Sequence, residues 1–303
     1  MSTLFSQFAT HYTQTAKIHQ FRRVYEDSWN GIDRSDEVNA IRNFLLSPNV
    51  GVDYLNTEVA PKISNGVFNV KFASIFCHQK PRVQRTTLSR ANNPGDTAGC
   101  ELGDLFVAFV LLDSKDHVHY SAGALFQAKL KPKLDSLSQR CLYDFDQDFD
   151  VPKYLANRLT PSNKNRKMPS FEDGRGRAFR YLILEPDYGP AGIRARHTPW
   201  THDYQLRWST FLDGLLAGTD GLRANLDVSP ASAWDTIVAD LLHVGFSVPP
   251  LKPPRGNNVA AQVATSLFNN FTNLRQSSVT IEGRNFGVPT LLVIGHAPGE
   301  AED

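Results

Sequence analysis

The stretches ELGDLFVAFVLLD (101–113) and YSAGALFQAKLKP (120–132), joined by the polar turn SKDHVH (114–119), decide the fold of this chain. Both stretches are nearly continuously apolar and rich in β-forming residues, which is typical of central strands covered on both faces. The short polar turn between them predicts an antiparallel hairpin. The sequence therefore predicts an α/β fold built around this hairpin.

Three polar residues interrupt these apolar strands: Asp104 near the start of the first, and Gln127 and Lys129 near the end of the second. Gln127 and Lys129 are two positions apart, so they point to the same side of their strand. With the turn centred near residue 116, Asp104 falls across from residue 128. Burying a cation and a carboxylate in such a sheet is costly unless they pair with each other or with a metal. These residues are therefore the strongest candidate site.

The residue types suit metal-dependent hydrolysis of a phosphodiester. Mg²⁺ prefers oxygen ligands, which Asp104, the side-chain carbonyl of Gln127 and the main-chain carbonyl of Ala128 supply. Lys129 is placed to lower the pKa of an attacking water or to stabilise the pentavalent phosphate. The alternative is structural: Asp104 ends a turn, and Lys129 belongs to the solvated end of an edge strand.

Other elements are expected on both sides of the hairpin. Aromatic residues at intervals of three to four predict a helical lead-in over residues 1–30. Asp33 or Ser35 as N-cap, followed by an apolar stripe, predicts a helix that ends at Ser47. We further expect one long bent strand over 66–83, a polar loop over 84–99, a helix over 134–145 and a buried strand over 179–185.

The C-terminal part is predicted to be mostly helical. Apolar positions at helical spacing and a proline-rich segment predict helices at 205–218, 233–245 and 258–274, a linker at 249–256 and a last short strand at 289–295. We therefore expect a core over 1–190, including the lead-in, and a helical C-terminal elaboration packed on it over 191–303.

Asp104 at a strand start, a hairpin, and Gln127-Ala128-Lys129 at the end of the next strand resemble the core motif of the PD-(D/E)xK nuclease superfamily, which includes many restriction enzymes. The resemblance covers residues 33–185 in topology, and its motif is three or four residues. It implies a restriction-endonuclease-like mixed central sheet flanked by helices. It also implies Mg²⁺ or Mn²⁺ held by Asp104 and Gln127, catalysis by Lys129, DNA as substrate and a role in defence against foreign DNA.

Two positions depart from the commonest form of that family. Gly103 stands where a proline often precedes the aspartate, and Gln127 replaces the usual acidic residue. An amide is a weaker Mg²⁺ ligand than a carboxylate, although the glutamine form is similar to that of the Mrr-like restriction branch. The family also commonly sets an acidic residue on the preceding helix, which implies a metal-assisting role for Glu37. Glu26, or a helix-dipole role alone for Glu37, is the alternative.

A basic segment follows between residues 158 and 180, with seven basic and two acidic residues. Its glycines and the Pro-Ser-Asn run predict a mobile loop. We expect contacts to phosphate there, against the alternative of a plain solvated loop, from Arg166, Lys167, Arg175 and Arg177. The acidic run DFDQDFD (144–150) lacks the glycine and glutamate of a calcium loop and is predicted to be a solvated turn.

Composition excludes several classes of protein. A formal net charge of +1 means that nucleic acid has to be held by a local patch. Three scattered cysteines predict free thiols in a reducing cytosol, and neither a zinc-binding histidine motif nor a GxxxxGK[ST] loop occurs. Without a secretory signal pattern or an apolar stretch of about 18 residues, a soluble cytoplasmic protein with no membrane contact is expected.

Two hypotheses for function follow. The first is a Mg²⁺-dependent DNA endonuclease, in which double-strand cutting needs a homodimer or two successive hits because one site cuts one strand. The second is a catalytically inactive nuclease-fold module that binds or scaffolds a larger complex, with Gln127 marking a lost metal site. RNA stays open as a substrate. Because the chain has no recognisable sequence-reading module, we also expect an activating or targeting protein partner.

Overall fold

The computed structural model describes residues 3–77, 82–133, 135–153, 163–185, 194–196, 206–226, 231–246, 259–270, 278–281 and 287–299. Its strands are β1 (Asn69–Cys77), β2 (Arg82–Arg85), β3 (Gly99–Glu101), β4 (Leu105–Leu112), β5 (Val118–Lys129), β6 (Asp148–Asp150), β7 (Asn165–Lys167), β8 (Phe179–Ile183), β9 (Arg194–Arg196), β10 (Leu222–Arg223), β11 (Ser278–Ile281) and β12 (Thr290–His296). Its helices are α1 (Thr3–Ile18), α2 (Phe21–Asp27), α3 (Glu37–Leu46), α4 (Gly51–Glu58), α5 (Ala60–Ile63), α6 (Thr87–Asn92), α7 (Leu137–Asp144), α8 (Arg175–Ala178), α9 (Trp208–Ala217), α10 (Ala233–Phe246) and α11 (Val259–Asn270).

The strands form two sheets. The larger, mixed sheet has the order β11-β1-β12-β4-β5-β8-β9, and β10 also pairs with β5. The smaller, antiparallel sheet has the order β3-β2-β6-β7. The fold is therefore α/β with a mixed sheet flanked by helices, as the sequence predicts.

The hairpin of β4 and β5 forms as predicted. Leu105 pairs with Phe126 and Leu111 with Tyr120, and the ladder becomes irregular beyond Leu111. All eight residues of β4 are buried, which agrees with a strand covered on both faces. The register places Asp104, just before β4, beside Gln127, one residue from the position that the sequence predicts.

The division into a core over 1–190 and an elaboration over 191–303 is wrong for the sheet. The last strand, β12, lies between β1 and β4, antiparallel to β1 and parallel to β4. Leu291, for example, has Ser74 on one side and Val107 on the other. The C-terminal segment thus supplies an interior strand of the central sheet and cannot be separated from the core.

Two apolar layers cover the two faces of the larger sheet. In the first layer, the helices α1, α2, α3, α4, α5 and α9 pack against one face of the larger sheet. In the second layer, α7, α10, α11 and the smaller sheet pack against the opposite face of the larger sheet. Because side chains alternate along a strand, Phe126 and Ala128 belong to the first layer and Leu125 to the second. Gln127 and Lys129 therefore face the second layer, with α7.

Several local predictions need correction. The segment 66–83 is not one bent strand, because β1 and β2 belong to different sheets. The expected loop over 84–99 contains α6. Helix α3 is capped by Asp36, whose side chain accepts from the N–H of Asn39, and not by Asp33 or Ser35. The helical lead-in and the helices at α9 and α10 are confirmed. The proline-rich segment 249–256 lies outside the described residues.

No helix in the described part of the chain combines the length and the apolar character needed to cross a membrane.

Candidate active site

The carboxylate of Asp104 is fixed by the end of β5. Its Oδ2 accepts from the main-chain N–H of Ala128 at 2.8 Å, and its own N–H donates to the carbonyl of Phe126 at 2.8 Å. Asp104 is 9% exposed. Since β4 begins only at Leu105, the aspartate side chain takes the place of the main-chain acceptor that a longer β4 would offer. The predicted link between Asp104 and the Gln127-Ala128-Lys129 segment is therefore present.

Glu37 reaches the same strand edge from the first turn of α3. Its Oε1 accepts from the N–H of Leu130 at 2.9 Å. The N–H groups of Ala128 and Leu130 are two residues apart, so both point to the same edge of the strand, about 6.6 Å apart. The carbonyl of Ala128 points to that edge as well. Two carboxylates thus flank one main-chain carbonyl.

The alternative glutamate, Glu26, lies elsewhere. Its Oε1 accepts from the hydroxyl of Ser209 at 2.9 Å and from Arg207 at 3.2 Å. Of the two candidates, only Glu37 has a hydrogen bond to the end of β5 among the described contacts.

Gln127 is fully buried, and its side chain faces the second layer, with α7. Its Nε2 donates to the carbonyl of Glu101 at 2.9 Å, whereas its Oε1, also buried, has no hydrogen-bond partner within the described part of the chain. A buried amide oxygen without a partner costs free energy, of the order of 1–3 kcal/mol. The described residues leave this oxygen without a hydrogen bond.

Lys129 is buried and held by two partners that the sequence alone did not reveal. Its Nζ lies 2.8 Å from Asp135 Oδ1 and donates to Gln139 Oε1 at 2.9 Å. Gln139 lies in the first turn of α7, which Ser136 caps by accepting from the Gln139 N–H. The spacing Ser-x-x-Gln was a signal for this helix start, but not for the contact with Lys129.

Tyr143 closes the site on the side of α7. Its hydroxyl donates to the carbonyl of Leu102 at 2.8 Å. Burial, and then the nearby Asp104 carboxylate, raise the pKa of Tyr143 well above its ordinary value. The phenol therefore stays neutral at physiological pH. Asp104 stands opposite Gln127 in the β4–β5 pairing, so both lie on the same face of the sheet.

The prediction of a mobile basic loop is corrected for the part of it that the structure describes. Arg166 and Arg175 are buried. Arg166 pairs with Asp240 of α10, and Arg175 donates to the carbonyls of Leu142 and Asp146. Burial lowers the pKa of Arg175 to about 10. These two guanidinium groups hold the fold together and are not available to phosphate.

Lys167 and Arg177, the other predicted phosphate contacts, are exposed. Lys167 pairs with Asp148 at 2.9 Å, and Arg177 donates to the carbonyl of Thr219 at 3.3 Å. The acidic run at 144–150 is also not a solvated turn, because Asp146 is fully buried against Arg85.

The candidate site offers oxygen atoms to a cation. They come from two carboxylates (Asp104, Glu37), one main-chain carbonyl (Ala128) and one amide (Gln127). This is the chemistry that Mg²⁺ and Mn²⁺ prefer, and no thiolate or imidazole belongs to the set. Within the described ranges, no group of three or more His, Cys, Asp or Glu side chains forms a metal site. A cation here would depend on the carbonyl and amide oxygens.

The sequence matches no family model, and neither a curated protein nor a solved structure matches the chain.

Proposed function

We propose that this protein is a metal-dependent nuclease that hydrolyses phosphodiester bonds of DNA. The observation that carries the proposal is the pair of carboxylates, Asp104 and Glu37, bound to alternate N–H groups at the end of one strand. The same strand ends in a buried lysine, Lys129. Carboxylates, a carbonyl and a lysine at one strand end form a constellation suited to phosphodiester hydrolysis.

The residues present fit a hard divalent cation. The buried Gln127 Oε1 lacks a partner, and a cation would satisfy it. Asp104, Glu37, the Ala128 carbonyl and Gln127 would hold the ion. When bound, Mg²⁺ or Mn²⁺ would polarise the phosphate and acidify a water.

The side chains of the protein supply the rest. The ammonium of Lys129 is fixed by Asp135 and Gln139, so its direction is set before substrate binds. There it donates a hydrogen bond to the phosphate or to the attacking water and stabilises developing negative charge. Asp104 and Glu37 are oriented by main-chain donors, which costs no reorganisation during the reaction.

Cleavage of supercoiled plasmid with Mg²⁺ or Mn²⁺ tests the proposal. Wild type should nick the plasmid, and Asp104→Ala and Lys129→Ala should abolish nicking at unchanged circular dichroism. Lys115→Ala, at the opposite end of the same hairpin, is the matched control and should keep full activity. Metal-independent cleavage, or cleavage that survives Asp104→Ala, would refute the assignment of this site.

A second candidate, an inactive nuclease-fold module, has one observation in its favour. The Lys129 ammonium already has the Asp135 carboxylate 2.8 Å away, which compensates its charge. Calorimetry with Mn²⁺ separates the two hypotheses. An active site binds the ion through Asp104, whereas no heat in wild type, together with no cleavage, favours the inactive module.

A further inference from the structure

Three basic residues stand within three positions of residues of the candidate site: Arg34 in the segment before α3, and Lys131 and Lys133 in the turn after β5. Lys131 directly follows Leu130, whose N–H binds Glu37. Consecutive Cα atoms are about 3.8 Å apart, so Lys131 lies next to the site. Arg34 precedes Glu37 by three residues. We call these three residues the phosphate rim.

Arg34 has an unsatisfied donor. Its Nη1 is buried and has no hydrogen-bond partner among the residues that the structure describes. Burial also lowers the pKa of Arg34. A buried guanidinium nitrogen without a partner is costly, and an anionic ligand relieves that cost.

Lys131 and Lys133 are exposed, and the N–H of Lys133 donates to the carbonyl of Lys131 at 2.7 Å. This tight turn holds both lysines near the end of β5. Neither ammonium has an ion pair or hydrogen bond within the described residues. Some other surface cations are compensated, as in the pairs Arg22–Asp213, Lys164–Asp150, Lys167–Asp148 and Arg207–Glu26, so what distinguishes the rim lysines is their position after β5.

Acidic residues beside the rim are engaged locally. Asp33 accepts from the N–H and hydroxyl of Ser35, and Asp36 caps α3. Asp135 pairs with Lys129. The rim cations therefore remain to meet a ligand, and their position beside a proposed phosphodiester site identifies the ligand chemistry.

We infer that Arg34, Lys131 and Lys133 bind backbone phosphates of duplex DNA next to the scissile phosphate. The inference rests on the proposed function and replaces Arg166 and Arg175 as the phosphate contacts. Each residue neutralises one phosphate, so each contributes about 0.9 to the slope of log affinity against log salt concentration.

Fluorescence anisotropy with a labelled DNA duplex tests this inference, in an Asp104→Asn background that prevents cleavage, with Mg²⁺ present. Arg34→Gln, Lys131→Gln and Lys133→Gln should each weaken binding by about threefold to tenfold and reduce the salt slope by about 0.9. Lys115→Gln removes the same charge at the other end of the hairpin and should leave both quantities unchanged. Arg34→Lys keeps the positive charge but loses the planar pair of guanidinium donors. It should therefore show the same dependence of affinity on salt concentration as the parent.

Rim variants that bind as tightly as the parent, with the same salt slope, overturn the inference, as does a parent that binds no duplex. Failure of the proposed function is distinguishable from this result. A wild type that never cleaves plasmid, while binding still depends on the rim, refutes the nuclease and keeps the phosphate rim. Cleavage with rim-independent binding refutes the rim alone.

Discussion

Asp104 and Glu37 come from different elements, yet their carboxylates accept from the N–H groups of Ala128 and Leu130, two residues apart on one strand. Each carboxylate accepts from the main chain that follows or ends β5, so an amide of the same shape can occupy either position with one oxygen still accepting. The charge of the site can therefore be changed without changing its framework.

We expect Asp104→Asn and Glu37→Gln each to weaken Mn²⁺ binding by at least about tenfold, because a neutral amide is a poorer ligand for a hard cation. Thermal stability without metal should change little, since each amide oxygen still accepts the main-chain N–H. Calorimetry measures the affinity. Asp33→Asn, a carboxylate change outside the site, is the control, and equal affinities in all three variants would contradict the assignment.

Gln127→Glu should lower the free energy of unfolding without metal and raise the affinity for Mg²⁺. A buried carboxylate without a compensating charge is unfavourable, so unfolding without metal should require about 2–4 kcal/mol less free energy. Added Mg²⁺ should recover the loss and bind more tightly than to wild type. Gln127→Leu, an apolar control of similar size, should not respond to Mg²⁺. Urea unfolding in EDTA and in Mg²⁺ gives both values, and a metal-independent loss in Gln127→Glu would argue against a cation at this position.

Lys129→Met should reduce cleavage by about 10²–10⁴-fold while Mn²⁺ still binds, because the lysine acts on the phosphate or water and not on the ion. Gln139→Leu removes a buried partner and should cause a smaller loss. Asp135→Asn should change the rate least, since Asp135 is 48% exposed and water can replace it. Single-turnover cleavage rates rank the three variants, and a larger effect for Asp135→Asn than for Gln139→Leu would reverse the assignment of the positioning residue.

The buried pair of Arg85 and Asp146 should be the most sensitive ion pair to single substitution. Both side chains are 0% exposed. Arg85→Met or Asp146→Leu leaves the other charge buried and should lower the free energy of unfolding by about 3–5 kcal/mol. The double variant, which removes both charges of the pair, should recover part of the loss. Urea denaturation provides the test, and strictly additive losses in the double variant would show that the pair is not coupled.

The β4–β5 turn should give a pH-dependent contribution to stability. Burial raises the pKa of Asp113, but hydrogen bonds from the His117 N–H, His119 and the Lys115 N–H outweigh it and lower the pKa to about 2. A lowered pKa means that the stabilisation is present above the ordinary aspartate value and is lost as pH falls through about 2. Because the side chain is 24% exposed, solvent screening reduces the contribution to about 1 kcal/mol.

Asp113→Asn should therefore destabilise by that amount at pH 7 and by less as pH falls from about 4 towards 2. Urea unfolding at a series of pH values measures the difference between the variant and wild type. A difference that grows as pH falls would contradict the sign.

Much of the site follows from local pattern. Continuous apolar runs define β4 and β5, and the period of two puts Gln127 and Lys129 on one side. The position of Asp104 follows from the turn length, with an error of one residue because the pairing of Leu105 with Phe126 centres the turn half a residue before residue 116. Helix α3 can be predicted from its stripe of apolar residues. The hydrogen bond from Leu130 to Glu37 cannot, because it depends on how α3 packs against the end of β5.

The rest depends on partners distant in sequence. Nothing near Arg166 or Arg175 indicates that Asp240 and the carbonyl of Leu142 receive them, so a basic, glycine-containing segment is interpreted as a loop. The placement of β12 is equally non-local, because an apolar strand carries no information about which gap in a sheet it fills. Gln139 is visible as a capping residue, whereas its role towards Lys129 requires the packing of α7.

The interior position of β12 also bears on synthesis of the protein. While the ribosome is still translating the region before residue 290, the β4 edge that faces β1 has no neighbour, and Phe106 lacks the carbonyl of Pro289 that accepts its N–H. A nascent chain therefore exposes β4, the strand next to Asp104, until β12 has been synthesised. The order of translation therefore delays completion of the sheet around Asp104 until β12 has been added.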